Sequence, residues 1–267
     1  MADEHLGWQL SSIFKNDDHG RLKQFFDNVK ELAQDGWAPQ MAEAALPEAS
    51  AAKAARCIEF LATEIGAERT WFLNAALMRA VWKMQLDIVK ALLPHANVNL
   101  VNADGDTPLM NACRGGMRAI VEWMIPYADV DTRGRGQRTA LMVAAKGGGG
   151  DVLWAILPHA NRLLRDKRGY NALMHAIEWK NKEALEILLE CCARDEVFSH
   201  SRHKWAISAF ELAQRVEAQG GLNAAEMIIK EFARREAIEI QGVVSRAAGS
   251  KREDASNAPH SHTPRRL

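Results

Sequence analysis

Residues 107–112 read TPLMNA, residues 139–144 read TALMVA, and residues 171–176 read NALMHA. The three stretches stand 32 residues apart, and their surroundings keep the same interval. Leu77, Leu109, Leu141 and Leu173 form one column, each followed by a methionine: Met78, Met110, Met142 and Met174. Ala80, Ala112, Ala144 and Ala176 form a second. Fifteen residues past each leucine comes an apolar pair: Leu92–Leu93, Met124–Ile125, Ile156–Leu157 and Leu188–Leu189. Phe60–Leu61 fills that slot one period earlier. Columns held in register over four units define an internal repeat, and such periods belong to stacked arrays.

Each unit has one local grammar. A turn rich in Gly or polar residues opens it, as in NADGDTPLM at 102–110. A short helix follows, then a break at Gly115–Gly116 or at Gly147–Gly150, then a second helix such as MRAIVEWMI. In that helix Ile120, Val121, Met124 and Ile125 fall on one stripe. Proline at 94, 126 and 158 closes the second helix, because it cannot donate to the hydrogen-bond ladder.

These residues resemble the ankyrin repeat. TPLMNA is similar to the family's T-P-L-H-x-A opening, with TALMVA and NALMHA as weaker copies, and LLPHANVN at 92–99 is similar to its ending with the glycine deleted. That deletion sets a period of 32 where the family has about 33. Methionine replaces the motif's histidine throughout, and Gln137 takes the turn position held by Gly105 and Gly169. A glycine sits one residue earlier in that turn, at 136, which predicts a different turn shape there. The resemblance implies an all-α solenoid of helix-turn-helix units with short turn or hairpin fingers and helical capping repeats.

The flanks follow the same plan. Residues 1–68 are expected to form an N-terminal cap: WQLSSIF and RLKQFFDNVKELA make a helix pair around NDDHG, and ASAAKAARCIEFLATEIGA makes one further helix. Residues 69–190 hold the regular repeats. In 191–241 a long loop, CCARDEVFSHSRHKW, precedes a capping unit that opens at SAFELA. Terminal units cover a core face that has no neighbour. From Gly242 to Leu267 the chain turns polar and aperiodic, which predicts a disordered tail.

Composition limits the function classes. Lys plus Arg equals Asp plus Glu at 34 each, so the whole chain has no bias towards nucleic acid or membrane. MADEHLGWQLSS carries acids and lacks an apolar core, so it does not read as a secretory signal. No apolar run reaches the roughly 18 residues of a membrane span. The four cysteines, Cys57, Cys113, Cys191 and Cys192, form no disulfide pattern, and a reducing, cytoplasmic setting with a monomeric chain is expected. Cys113 replaces a frame alanine and reads as a small buried hydrophobe.

Catalytic and metal readings fail on spacing. His95 and His159 share one slot two repeats apart, so roughly 20 Å separates them and they cannot hold one ion. His200 and His203 lie near Cys191–Cys192, but adjacent cysteines lack the C-x-x-C spacing of zinc sites. Lys146 precedes Gly147–Gly150, the reverse of a phosphate loop. With no catalytic constellation and no cofactor motif, the chain reads as non-enzymatic.

The family's groove implies a protein-binding module, and its positions carry across to this chain. The turn tips supply Arg135, Arg138, Lys167, Arg168 and Tyr170; the first-helix column supplies Trp82, Arg114, Lys146 and Glu178, with Trp179 alongside. Residues 132–168 hold eight bases and two acids, so adjacent turns should pool into one positive patch for an acidic protein partner, with Trp82 and Trp179 as anchors. A dedicated inhibitor or immunity protein that blocks a partner's active site is a second reading. Nucleic-acid binding through the basic turns is a third; few aromatics interleave with those bases.

Overall fold

The computed structural model describes residues 10–32, 37–65, 70–198 and 208–256. In chain order the helices are α1 (residues 10–15), α2 (His19–Leu32), α3 (Trp37–Ala51), α4 (Ala55–Ile65) and α5 (Thr70–Trp82). Next come α6 (Leu86–Leu92), α7 (Pro108–Arg114), α8 (Arg118–Met124), α9 (Ala140–Gly147) and α10 (Gly150–Ile156). The chain continues through α11 (Ala172–Glu178), α12 (Lys182–Cys191), α13 (Arg194–Phe198), α14 (Ala209–Ala218) and α15 (Ala224–Ser256). Among the described residues there is no strand, and the fold is an all-α repeat stack.

The repeat columns decide where each helix starts and what it buries. Thr107 caps α7 by accepting from the Met110 N–H, and Pro108 supplies the first turn, where no donor is needed. Asn171 caps α11 in the same way. Ser208 and Glu211 form a reciprocal capping box on α14. First helices stack in one row, α3, α5, α7, α9, α11 and α14. Second helices stack in the other, α2, α4, α6, α8, α10, α12 and α15. Leu77, Leu109, Leu141 and Leu173 are buried between the rows, and the alanine column beside them lets the helices approach closely.

A ladder of side-chain acceptors fixes the spacing from repeat to repeat. Asn99 Oδ1 accepts from the Asp129 N–H at 2.8 Å, and Asp131 Oδ1 accepts from the Asn161 N–H at 2.9 Å. Asn97, Asp129 and Asn161 each brace their own turn by accepting from the N–H two residues on. One period after Asp131 the acceptor position is Leu163, and no rung can form. Arg162 takes over with a bidentate pair to Glu196, at 3.1 and 3.0 Å.

The flanks differ from expectation in three places. The single helix expected across 49–67 is two, α3 and α4, broken at residues 52–54 where Lys53 adopts φ 59. Pro47 lies inside α3, where its ring removes one backbone donor without ending the helix. The loop after α12 contains α13; its remainder, with His200 and His203, lies outside the described residues. The tail expected to be disordered from Gly242 continues α15 to Ser256, and residues 257–267 lie outside the described residues. Arg, Ala, Lys and Glu favour helix there, Gly242 and Gly249 cost about 1 kcal/mol each, and no proline intervenes before Pro259. Among the described residues no helix is long and apolar enough to cross a membrane.

Candidate partner-binding surface

The fingers between repeats are tight hairpin turns. Asn102 N–H donates to Asp106 O, Gly134 N–H to Arg138 O, and Asp166 N–H to Tyr170 O, each closing one finger. Neighbouring fingers are then tied tip to tip: Arg135 N–H donates to Gly105 O at 2.5 Å, and Lys167 N–H to Gly136 O at 2.9 Å. The left-handed residue of the finger is Gly105 (φ 83) and Gly169 (φ 80) in the outer two. In the middle finger both Gly136 (φ 74) and Gln137 (φ 64) are left-handed, so its shape does differ. A Cβ on Gly105 would collide with the Arg135 side chain, so the close approach of the tips also requires glycine there.

Between the second and third fingers and the helices behind them, α9 and α11, lies a groove of about 360 Å³. Seven of the ten residues expected to contact a partner line it: Arg135, Arg138, Lys146, Lys167, Arg168, Glu178 and Trp179. Tyr170 is not part of its lining but touches it through Arg168, whose guanidinium lies 4.3 Å from the Tyr170 ring centre. The groove does not include Arg114, which pairs with Asp106 at 2.5 Å and with Asn111 at 2.8 Å on α7. Nor does it include Trp82, at the end of α5, which is 78% exposed.

Of the eight bases of residues 132–168, four are held by hydrogen bonds within the scaffold, and two of these, Arg162 and Arg168, pair with acids. Arg133 donates to Gln137 and to the Arg165 carbonyl. Arg165 donates to the Gly169 carbonyl, and Arg162 is committed to Glu196. Arg168 grips Glu178 bidentately at 2.6 and 2.5 Å, which lowers the Glu178 pKa below the usual carboxylate range. The remaining four, Arg135, Arg138, Lys146 and Lys167, line the groove and make no ion pair with any acid among the described residues. Arg138 Nε donates only to the Arg135 carbonyl, and Lys146 Nζ lies 3.6 Å from the centre of the Trp179 ring.

Two groove residues escaped the sequence reading. Asp166 accepts from the Arg168 and Tyr170 N–H groups at 2.8 and 2.9 Å, and its other oxygen meets His175 Nε2 at 3.0 Å. His175 is 3% exposed, its Nδ1 has no hydrogen-bond partner among the described residues, and burial holds its pKa below 6.5 against the pull of Asp166. The available signal was one column: Asn111, Val143 and His175 occupy the same place in three repeats, alternately polar and apolar on a helix face that is otherwise packed.

The cysteines lie elsewhere. Cys113 is buried in α7 and its thiol is pushed up to about 12 by burial alone, which leaves no thiolate for chemistry. Cys57 and Cys192 are raised to about 12 as well, by burial first and then by Asp17 and Glu196 respectively.

The family model for ankyrin repeats matches the chain three times, over residues 46–134, 77–166 and 128–198. No curated protein sequence matches it. Together the three matches run from residue 46 to residue 198, more than half of the chain and across every helix pair that forms the groove: this protein belongs to the ankyrin-repeat family.

Proposed function

We propose that this protein is a non-catalytic module that holds an acidic partner protein against the fingers and groove of its third and fourth regular repeats. One observation carries the reading: four cations line a single groove and pair with no acid among the described residues, while the two acids beside them, Asp166 and Glu178, are already engaged. Like charges without counter-ions repel one another, and an anionic partner removes that repulsion on binding. Trp179 adds a large apolar surface at the rim, of the kind that anchors interfaces.

The test is a nuclease-treated pull-down from native lysate, comparing wild type with the triple variant Arg135→Glu, Arg138→Glu, Lys167→Glu. Selective loss of one protein from the variant supports the reading; equal recovery by both baits moves the site off this groove. Capture seen only in a parallel pull-down without nuclease would favour nucleic acid, whose affinity also falls steeply with salt.

A further inference from the structure

A second cleft, of about 270 Å³, lies between the first helices α3 and α5, nearer the N-terminal end of the stack. Leu46 and Pro47 line it from α3, and Phe72, Ala75 and Ala76 from α5. Its polar residues are Ser50 and Arg79. Arg79 is exposed and pairs with no acid among the described residues. The repeat frame relates this cleft to the basic groove. Arg79 holds on α5 the place that Val143 and His175 hold on α9 and α11, two and three periods later. Both of those residues line the groove, so the two openings lie on the same side of the first-helix row. An apolar ligand alone leaves the Arg79 guanidinium unmet, and a polyanion alone leaves the cleft empty. An apolar side chain with a carboxylate beside it satisfies both.

Resting on the reading of an acidic protein partner, we propose that this cleft is a second subsite for the same partner. It takes a large apolar side chain whose acidic neighbour meets Arg79, while the partner's acidic cluster lies on Arg135, Arg138, Lys146 and Lys167. The stack then fixes a spacing. From α3 to α9, as from α5 to α11, there are three steps along the first-helix row. Packed helices stand about 8–10 Å apart, so roughly 24–30 Å separates cleft from groove. An extended chain advances about 3.3 Å per residue, so roughly seven to nine residues must lie between the apolar anchor and the acids. That spacing distinguishes the partner from a simple polyanion of equal charge.

The test measures, by calorimetry on the full chain, the binding of synthetic peptides with both ends blocked. Each carries a run of glutamates, a Gly/Ser linker and a final Leu-Glu or Ser-Glu pair. With a linker of about twelve residues, long enough to span the gap, the leucine peptide should bind about threefold to tenfold more tightly than the serine peptide. With a linker of about four residues, too short to span it, that margin should vanish. Ala75→Trp fills the cleft from an exposed position of α5. It should remove the margin at unaltered helical ellipticity and leave the serine peptide's affinity unchanged; Arg79→Gln should reduce the margin. Equal affinities at the longer linker, or a margin that survives in Ala75→Trp, would overturn the inference and leave the acidic-partner reading intact. If neither peptide binds wild type, both fall. A peptide ending in a free leucine carboxylate that binds more tightly than the blocked one overturns the choice of an internal residue. Concentration-dependent dimerisation that Ala75→Trp abolishes would assign the cleft to a second copy of the chain and overturn the inference as well.

Discussion

Gln137 holds a left-handed backbone, φ 64, at the position where its counterparts one period away are Gly105 and Gly169. A side chain in that conformation costs roughly 1–2 kcal/mol, part of which the Arg133 contact to Gln137 Oε1 offsets. Gln137→Gly should therefore stabilise the protein by about 0.5–1 kcal/mol, read as a rise in melting temperature. His175 acts in the opposite sense at low pH. Its folded pKa lies below the ordinary 6.5, so the unfolded chain binds the proton first as pH falls. The stability it contributes is complete above that value and is lost from there downward, towards its folded pKa. Calorimetry at pH 7.5 and 5.5 should show a larger fall in melting temperature for wild type than for His175→Gln; equal falls would remove this role.

At the level of elements, the columns made the regular helix pairs readable, because leucine and alanine at fixed intervals leave one packing solution. Turns between paired helices were less readable. They need a left-handed residue, which Gly116 supplies openly at φ 68, but Met84 (φ 56), Lys180 (φ 57) and Lys53 (φ 59) supply without any compositional cue. That is why the break between α3 and α4 was missed. The groove was legible in part: the frame placed seven residues on it, yet charge counts cannot tell a base that holds a neighbouring carbonyl from one that is free. His175 was hidden for a related reason, since its burial depends on what the next repeat lays over it. For α15, polarity suggested a tail where helix propensity prevails. Truncation after Gln241 should lower the total helical ellipticity per chain at 222 nm; an unchanged signal would show that residues 242–256 add no helix in solution.

Across the whole molecule each repeat touches only its neighbours, so stability is a chain of interfaces. Leu141 is 1% exposed in the middle repeat, and Leu141→Ala should cost about 2–5 kcal/mol. Because that loss falls at the centre of the array, denaturant unfolding should resolve into two transitions, with the flanking repeats melting separately. A single transition with a small shift would contradict the central placement of this leucine.

The asparagine and aspartate rungs carry a further consequence. Asn99 and Asp131 each bind a backbone N–H 30 residues on, so they measure chain length between repeats as a ruler does. Any insertion between two rungs would pull a donor off its mark. After Leu163 no side chain of this column holds a backbone N–H among the described residues, and past the Arg162 pair to Glu196 the spacing stretches from 32 residues to 37, between Leu173 and Phe210. Beyond Glu196 no such tie follows among the described residues before α14, so length there is uncounted. A foreign sequence grafted there should leave the upstream repeats in register, whereas the same graft between Asn99 and Asp129 should not.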